Sequence, residues 1–85
     1  MEVALENIKG AGKVIAGMRQ TVKAIENDTA REVYIARDAE DKVTLPVIQL
    51  CRDKEIPIFY VETMAELGKA CSIKVGAAMA AILKD

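Results

Sequence analysis

Three side chains that carry hydrogen-bond donors stand close together in GMRQTVKAI, the segment from Gly17 to Ile25. Apolar residues recur there at helical spacing, which predicts an amphipathic helix that begins after Gly17. Arg19 and Lys23 are four residues apart and share one helix face, with Gln20 beside them. A glycine at the N-cap gives the first helical amides no side-chain acceptor, and the helix dipole makes this end positive. Arg19 then costs roughly 0.3–1 kcal/mol unless an anion binds, so the pattern predicts an anion site.

The alternative interpretation is a basic face that contacts only solvent, as charged faces commonly do. The distribution of charge favours a ligand. Four cations and no acid lie between Lys9 and Ile25, whereas six acids and two arginines follow between Glu26 and Asp41. This separation indicates a local patch that contacts an anion or a nucleic acid, on a chain whose net charge is only −1.

Histidine is absent from the chain, which removes the commonest general base and metal ligand. No P-loop, no G-x-G-x-x-G motif and no Cys/His cluster at zinc spacing occurs. Asp38, Glu40 and Asp41 follow a predicted strand at its carboxyl end, where α/β sheets often bind ligands, so a magnesium site is one interpretation. Solvated loop acids are the favoured interpretation, because motif matches this loose are mostly false positives. We expect no metal, no cofactor and no enzymatic activity.

A second candidate contact lies in LGKACSIKVGAA, the segment from Leu67 to Ala78, which joins the last predicted helix to the last strand. Ile73 and Val75 alternate there with polar residues and glycine, on either side of Lys74. If both aliphatic side chains are exposed, they can pack against unstacked RNA bases. The alternation itself favours the other interpretation, in which both residues open the final strand and point inward.

Helical and extended patterns alternate along the whole chain. Helices are predicted at 2–9, 17–27, 44–55 and 64–71, and strands at 13–17, 31–38, 56–61 and 74–83. Met18, Val22 and Ile25 are the predicted core face of the second helix, and Thr44 is the candidate cap of the third. The strands are continuous apolar runs, which is typical of a sheet covered on both faces. The prediction is an α/β fold: a three-layer α/β/α sandwich with a four-stranded mixed sheet.

Length and composition fit one domain over residues 1–85 with an aliphatic core, since 52% of the residues are hydrophobic and only 4% are aromatic. Cys51 and Cys71 form no C-x-x-C pair and fit reduced, buried thiols. The acidic first segment does not resemble a signal peptide, and the longest apolar run, VGAAMAAIL, is too short to span a membrane. We expect a soluble cytoplasmic protein, monomeric and without a membrane partner.

Several segments together resemble the ribosomal protein L7Ae/L30e family, and in particular its short bacterial members. They are GMRQTVKAIE, VYIARDAE, IPIFYVETMAELGKAC and the final apolar strand, in the family's order and spacing. ELGKAC after IPIFYV is the most specific piece, and the likeness covers essentially the whole chain. The resemblance implies an α/β/α sandwich that binds kink-turn RNA, a sharply bent duplex with tandem sheared G·A pairs beside a three-nucleotide bulge.

In this family the start of the second helix docks in the widened major groove at the G·A pairs. The resemblance implies that Lys23 meets the acceptor edge of a guanine and that Gln20 reads a base edge through its amide. Arg19 would contact guanine or phosphate, and Gly17 would let the backbone come close. Archaeal and eukaryotic members have Asn-Glu in place of Arg19-Gln20, whereas bacterial relatives share a basic residue followed by Gln.

The resemblance also assigns contacts outside this helix. Glu40 corresponds to a residue that contacts a flipped-out nucleotide of the bulge, and Ile73 and Val75 to a hydrophobic RNA-contact loop in which a eukaryotic relative has Arg at the position of Val75. The implied RNA-contact set is Gly17, Arg19, Gln20, Lys23, Arg37, Asp38, Glu40, Ile73, Lys74 and Val75. The implied partner is ribosomal RNA or another non-coding RNA, with the ribosome as a further candidate. The alternative is an accessory ribosomal or protein-interaction module that does not read RNA.

Overall fold

A computed structural model describes residues 3–84, in which helices and strands alternate. In chain order the elements are α1 (Val3–Gly10), β1 (Val14–Ala16), α2 (Met18–Glu26), β2 (Ala30–Ala36), α3 (Asp41–Asp53), β3 (Ile58–Val61), α4 (Met64–Ala70) and β4 (Met79–Leu83). Glu2, the predicted first residue of the first helix, lies outside the described residues. None of the described helices is long and apolar enough to cross a membrane.

The sheet has the order β1-β4-β2-β3. β4 runs antiparallel to both β1 and β2, whereas β2 and β3 are parallel, so the predicted four-stranded mixed sheet is confirmed. As a result β1, β2 and β3 all finish, and β4 begins, at one end of the sheet, referred to below as the α2 end. The residues paired there are Ala16 with Ala80, Ile35 with Met79, and Ala36 with Val61.

Successive residues of β2 point to opposite faces of the sheet and build two cores. Val33 and Ile35 belong to a buried cluster with α2 and α3, whereas Tyr34 and Ala36 belong to a cluster with α1 and α4. This arrangement confirms the three-layer sandwich. Both cores are mainly aliphatic, as the composition predicts.

Tyr34 is the largest fully buried side chain. Its ring stacks on Phe59 with the centroids 5.4 Å apart, and its hydroxyl donates a 2.6 Å hydrogen bond to Glu32. Burial, reinforced by the hydrogen bond to Glu32, raises the pKa of Tyr34 well above its usual value. The phenol therefore stays neutral and keeps its hydrogen bond across the ordinary pH range.

The predicted core face of α2 is wrong at Met18, whose side chain is 43% exposed. Thr21 and Ala24 are buried together with Ile25, and Val22 is half-buried. The buried residues of α2 are three and four positions apart and form one face of the helix. Met18, in the first turn, lies at the edge of that face.

The predicted start of α3 is also wrong, because the helix begins at Asp41, three residues before Thr44. Thr44 is buried inside the helix, and Glu40 occupies the N-cap position without a side-chain capping bond. Asp41 in the first turn suits the positive end of the helix dipole. Pro46 lies inside the helix, where it cannot donate to the carbonyl of Lys42.

β4 begins at Met79 and not at Lys74, so the segment 72–78 is a loop. The amide of Ile73 donates to the carbonyl of Gly68 (3.0 Å), and the amide of Ala77 donates to the carbonyl of Met64 (3.0 Å). These hydrogen bonds hold residues 73–77 on α4, outside the sheet. Cys71 accordingly caps the end of α4 and is half-buried, whereas Cys51 is fully buried, and both are free thiols.

Candidate nucleic-acid interface

The start of α2 depends on the backbone of Gly17. Its φ of 99° and ψ of 156° lie in a region that is essentially restricted to glycine. The Gly17 amide donates to the carbonyl of Met79 (2.9 Å), and its own carbonyl accepts from the amide of Thr21 (3.0 Å). Because Gly17 makes no side-chain capping bond, the first-turn amides of residues 18–20 are left to other acceptors. This confirms Gly17 as the N-cap.

The polar residues of α2 lie on the two flanks of its exposed face. Arg19 borders an open apolar depression of about 460 Å³ that is also lined by Met18 and Val22. Gln20 and Lys23 border a separate cleft of about 160 Å³, lined also by Ile15, Ala24, Asn27, Thr29 and Leu83. The helix has only nine residues, so Lys23 lies in its last turn, where the dipole favours a cation. Only Arg19 therefore sits at an unfavourable end, with no acid in the first turn to offset it.

The polar side of the cleft was missed by reasoning from the sequence. Gln20, Lys23 and Asn27 are spaced i, i+3 and i+7, and this spacing could have indicated that Asn27 joins the first two on one face. Thr29 could not have been found in this way, because it follows the helix. Its hydroxyl is held by a hydrogen bond to the carbonyl of Ala24 (3.2 Å).

The loop between β2 and α3 presents Arg37, Asp38 and Glu40 in different ways. Asp38 accepts a 2.8 Å hydrogen bond from the amide of Met64, so its carboxylate anchors the loop to the start of α4. Glu40 is exposed at the start of α3, and its carboxylate lies 3.9 Å from the ammonium of Lys42. Within residues 3–84, no three Cys, Asp or Glu side chains are grouped so that they could hold a metal ion.

Arg37 is turned toward β3. Its amide donates to the carbonyl of Val61 (2.8 Å). Its guanidinium lies 3.1 Å from the carboxylate of Glu62 and 5.2 Å from the centre of the Tyr60 ring. Arg37 is thus already engaged by an acid and an aromatic ring, although both charged side chains of the pair are largely exposed.

The loop between α4 and β4 exposes both of its aliphatic residues, so the interpretation that they open the strand and point inward is wrong. Ile73 is 39% exposed and Val75 is 71% exposed, with Lys74 exposed between them. The carbonyl of Val75 packs directly on Gly68, where an added Cβ would lie only 2.0 Å from the oxygen. The backbone of α4 therefore fixes where the two side chains project.

The sheet brings the start of α2, the β2–α3 loop and the 72–78 loop to its α2 end. Backbone hydrogen bonds tie them to one another through the start of β4: Gly17 to Met79, Ala36 to Ala78, and Ala77 to Met64. The resulting surface combines Arg19 and Lys74 with exposed aliphatic groups and the free first-turn amides of α2. The cleft of Gln20 and Lys23 lies farther along α2, beside Leu83, which pairs with Ala30 toward the other end of the sheet. Such a surface can bind phosphate oxygens, the acceptor edges of bases and the faces of unstacked bases.

The whole chain, residues 1–85, matches the family described as the Ribosomal protein L7Ae/L30e/S12e/Gadd45 family. The chain belongs to this family. The family is a non-enzymatic RNA-binding family, so the expectation that this chain is not an enzyme is confirmed.

Bacterial members of the L7Ae/L30e/S12e/Gadd45 family resemble the chain along nearly its full length. The RNA-binding protein BH0128 of Halalkalibacterium halodurans is 44% identical over 82 residues, which are 96% of this chain and 100% of that protein. The RNA-binding protein YbxF of Geobacillus stearothermophilus is 38% identical over 82 residues, with the same coverage. The predicted likeness to short bacterial members is thus confirmed.

Among solved structures, the Giardia lamblia 15.5kD RNA binding protein superimposes with a TM-score of 0.89 at 27% identity. The match covers 96% of this chain and 72% of the Giardia protein. A protein of unknown function from Bacillus halodurans superimposes with a TM-score of 0.81 at 22% identity. The match covers 94% of this chain and 80% of the Bacillus protein. At this identity the likeness supports the fold alone.

Proposed function

We propose that this protein binds structured RNA that contains a kink-turn, through the surface at the α2 end of the sheet. The observation that carries the proposal is the convergence of α2, the β2–α3 loop and the 72–78 loop at one end of the sheet. Each of these segments contains residues that the family resemblance implies as RNA contacts. The RNA-binding relatives and the family match support RNA as the partner.

In this proposal α2 enters the widened major groove at the tandem G·A pairs. Lys23 donates to the O6 and N7 acceptors of a guanine, and the amide of Gln20 reads a neighbouring base edge from the same cleft. Arg19 contacts a guanine or a phosphate. A nearby phosphate would offset the unfavourable position of Arg19 at the helix N-terminus and would accept from the first-turn amides.

The two loops contact the nucleotides of the bulge. Ile73 and Val75 pack against unstacked bases, and Lys74 between them reaches a phosphate. Glu40 accepts a hydrogen bond from a flipped-out nucleotide. Arg37 contributes once RNA draws it from Glu62, whereas Asp38 acts by holding the loop in place.

Because the interface is pre-formed, binding should favour the kinked RNA over its extended form. Gln20 presents a neutral carbonyl where other members of the family present a Glu carboxylate, so its hydrogen bonds to guanine amino and imino groups are weaker. The RNA is ribosomal RNA or another structured non-coding RNA, and association with the ribosome is part of the proposal.

Single substitutions on α2 test the assignment of the reading residues. Lys23→Ala and Gln20→Ala should each weaken binding of a kink-turn RNA by ~1–3 kcal/mol, measured by fluorescence anisotropy at a fixed salt concentration. Arg52→Ala and Gln49→Ala are the matched controls, because they remove a cation and an amide from exposed positions of α3.

If the α2 variants and the controls bind the RNA equally well, α2 is not the reading element. The alternative of a module that does not read RNA would then gain support. Circular dichroism checks that all four variants keep the native fold, as expected for substitutions of exposed side chains.

A further inference from the structure

A groove lined by both apolar and polar residues runs between α3 and the end of β3, beside the loop that joins β2 to α3. Leu45 and Ile48 of α3 face Tyr60 of β3 across a cavity of about 200 Å³. Leu45 is 57% exposed and Tyr60 is 41% exposed. Arg37, Asp41 and Thr44 also line this open cavity, and its volume leaves room for one aliphatic side chain against Leu45 and Tyr60.

β3 also leaves the backbone groups along its outer edge unpaired. β3 is the last strand at one edge of the sheet, and the carbonyls of Pro57 and Val61 accept from the amides of Val33 and Arg37. Because backbone groups alternate in direction along a strand, those of Ile58 and Tyr60 point outward. Neither of these amides has a backbone acceptor within the part of the chain that the structure describes. The side chains of the same two residues lie on the face of the sheet that α3 covers, beside the groove.

The rim of the groove carries negative charge. Arg37 is neutralised by Glu62 at 3.1 Å, and Asp41 makes no ion pair among residues 3–84. Asp41 lies in the wall of the cavity. This unpaired carboxylate favours a cationic group in the part of the groove next to Asp41.

We propose that β3 and the groove beside it bind an extended segment of a partner protein, which adds a fifth strand to the sheet. The partner's backbone pairs with Ile58 and Tyr60. One aliphatic side chain fills the cavity against Leu45 and Tyr60, and an adjacent lysine or arginine meets Asp41. Strand addition of this kind draws affinity from main-chain hydrogen bonds and specificity from the pockets for alternate side chains. The docking surface shares Arg37 with the proposed RNA interface but contains no residue of α2, so the two proposals are tested on different residues.

A peptide titration of the ¹⁵N-labelled protein tests the proposal. The probe is an acetylated, amidated seven-residue peptide of alternating lysine and leucine. Saturable shifts of the Ile58 and Tyr60 amides are expected below about 1 mM peptide, the range of a weak, transient interaction. Leu45→Lys should weaken binding by about tenfold, since it removes an anchor and adds a like charge. Gln49→Lys adds the same charge at another exposed position of α3 and should change binding by less than about twofold.

Two further peptides separate strand addition from other modes of binding. A glutamate–leucine peptide should bind much more weakly, and so should a lysine–leucine peptide with N-methyl groups on alternate amides, which cannot pair as a strand. Equal binding of either peptide, or no shift at Ile58 and Tyr60, would overturn the proposal. If the amide signals of Ile58 and Tyr60 shift as the protein concentration rises without peptide, the edge of β3 binds a second copy of this protein. If they shift when kink-turn RNA is added, the edge binds RNA. Both of those results also contradict the proposal.

Discussion

Replacing Gly17 with alanine tests whether the backbone at the start of α2 is as specialised as the structure indicates. At φ 99° and ψ 156°, an L-residue carries about 1–3 kcal/mol of backbone strain. A Cβ at this position would meet nothing within 4 Å, so no steric clash adds to that cost. Alanine also lowers the conformational entropy of the unfolded chain, and this stabilises the folded state by about 0.4–1 kcal/mol and offsets part of the strain. The net loss of unfolding free energy should be about 1–2 kcal/mol, or about 4–16 °C in Tm for a domain of this size.

Gly12→Ala is the matched control. Gly12 also has open space around an added Cβ, but its φ is not in the positive range. The same methyl group should therefore leave stability unchanged there or raise it slightly. Urea and thermal unfolding followed by circular dichroism compare the two variants, with an unchanged m-value as the sign that both unfold from the same compact state. Equal midpoints for the two variants would refute the role given to the Gly17 backbone.

Three further predictions concern α4 and the core. Gly68→Ala should lower the unfolding free energy by about 1–3 kcal/mol, because the added Cβ would collide with the Val75 carbonyl. This loss should exceed the gain from the better helix propensity of alanine. Urea unfolding measures the difference, and a stabilised variant would contradict the prediction. Thr63→Ala removes the side-chain acceptor of the Glu66 amide (3.1 Å) and should cost about 1 kcal/mol in the same assay; an unchanged midpoint would show that the cap is dispensable. Burial raises the pKa of Cys51 to about 11, so the folded state holds this proton more tightly than the unfolded state and stability should fall as pH rises from about 9 toward 11. Urea midpoints measured from pH 7 to 10.5 should show less of this decline in Cys51→Ala than in the unsubstituted protein, and parallel profiles would contradict the assignment.

The sequence predicted the order of the elements and the three-layer architecture because both leave local signatures. Apolar runs such as VYIA and IFYV mark strands, and the spacing of apolar residues marks the helices. VYIA is buried on both faces, whereas Phe59 and Tyr60 of IFYV are exposed at the sheet edge. Gly17 could be predicted as an N-cap from its position before a helical pattern. Its positive φ could not, because glycine also occurs at N-caps with ordinary backbone angles.

The sequence could not predict features that depend on contacts between distant segments. Alternation in the 72–78 segment favoured a strand, but the backbone there bonds to α4, and Gly68 gives the Val75 carbonyl room to approach. The preference of threonine for N-caps pointed to Thr44, whereas the helix begins earlier, at an acid that suits the dipole. Arg37 could be seen as a cation next to a strand, but not as the partner of Glu62 and Tyr60.

The central claim is that the α2 end of the sheet recognises kink-turn RNA, and one pair of RNAs tests it most directly. The first RNA carries a three-nucleotide bulge beside tandem G·A pairs, and the second is identical except that Watson–Crick pairs replace both G·A pairs. The account predicts that the unsubstituted protein binds the first RNA tighter by about 100-fold or more at the same salt concentration, since each wrong base pair costs about 1–3 kcal/mol. Equal affinity for the two RNAs would contradict it.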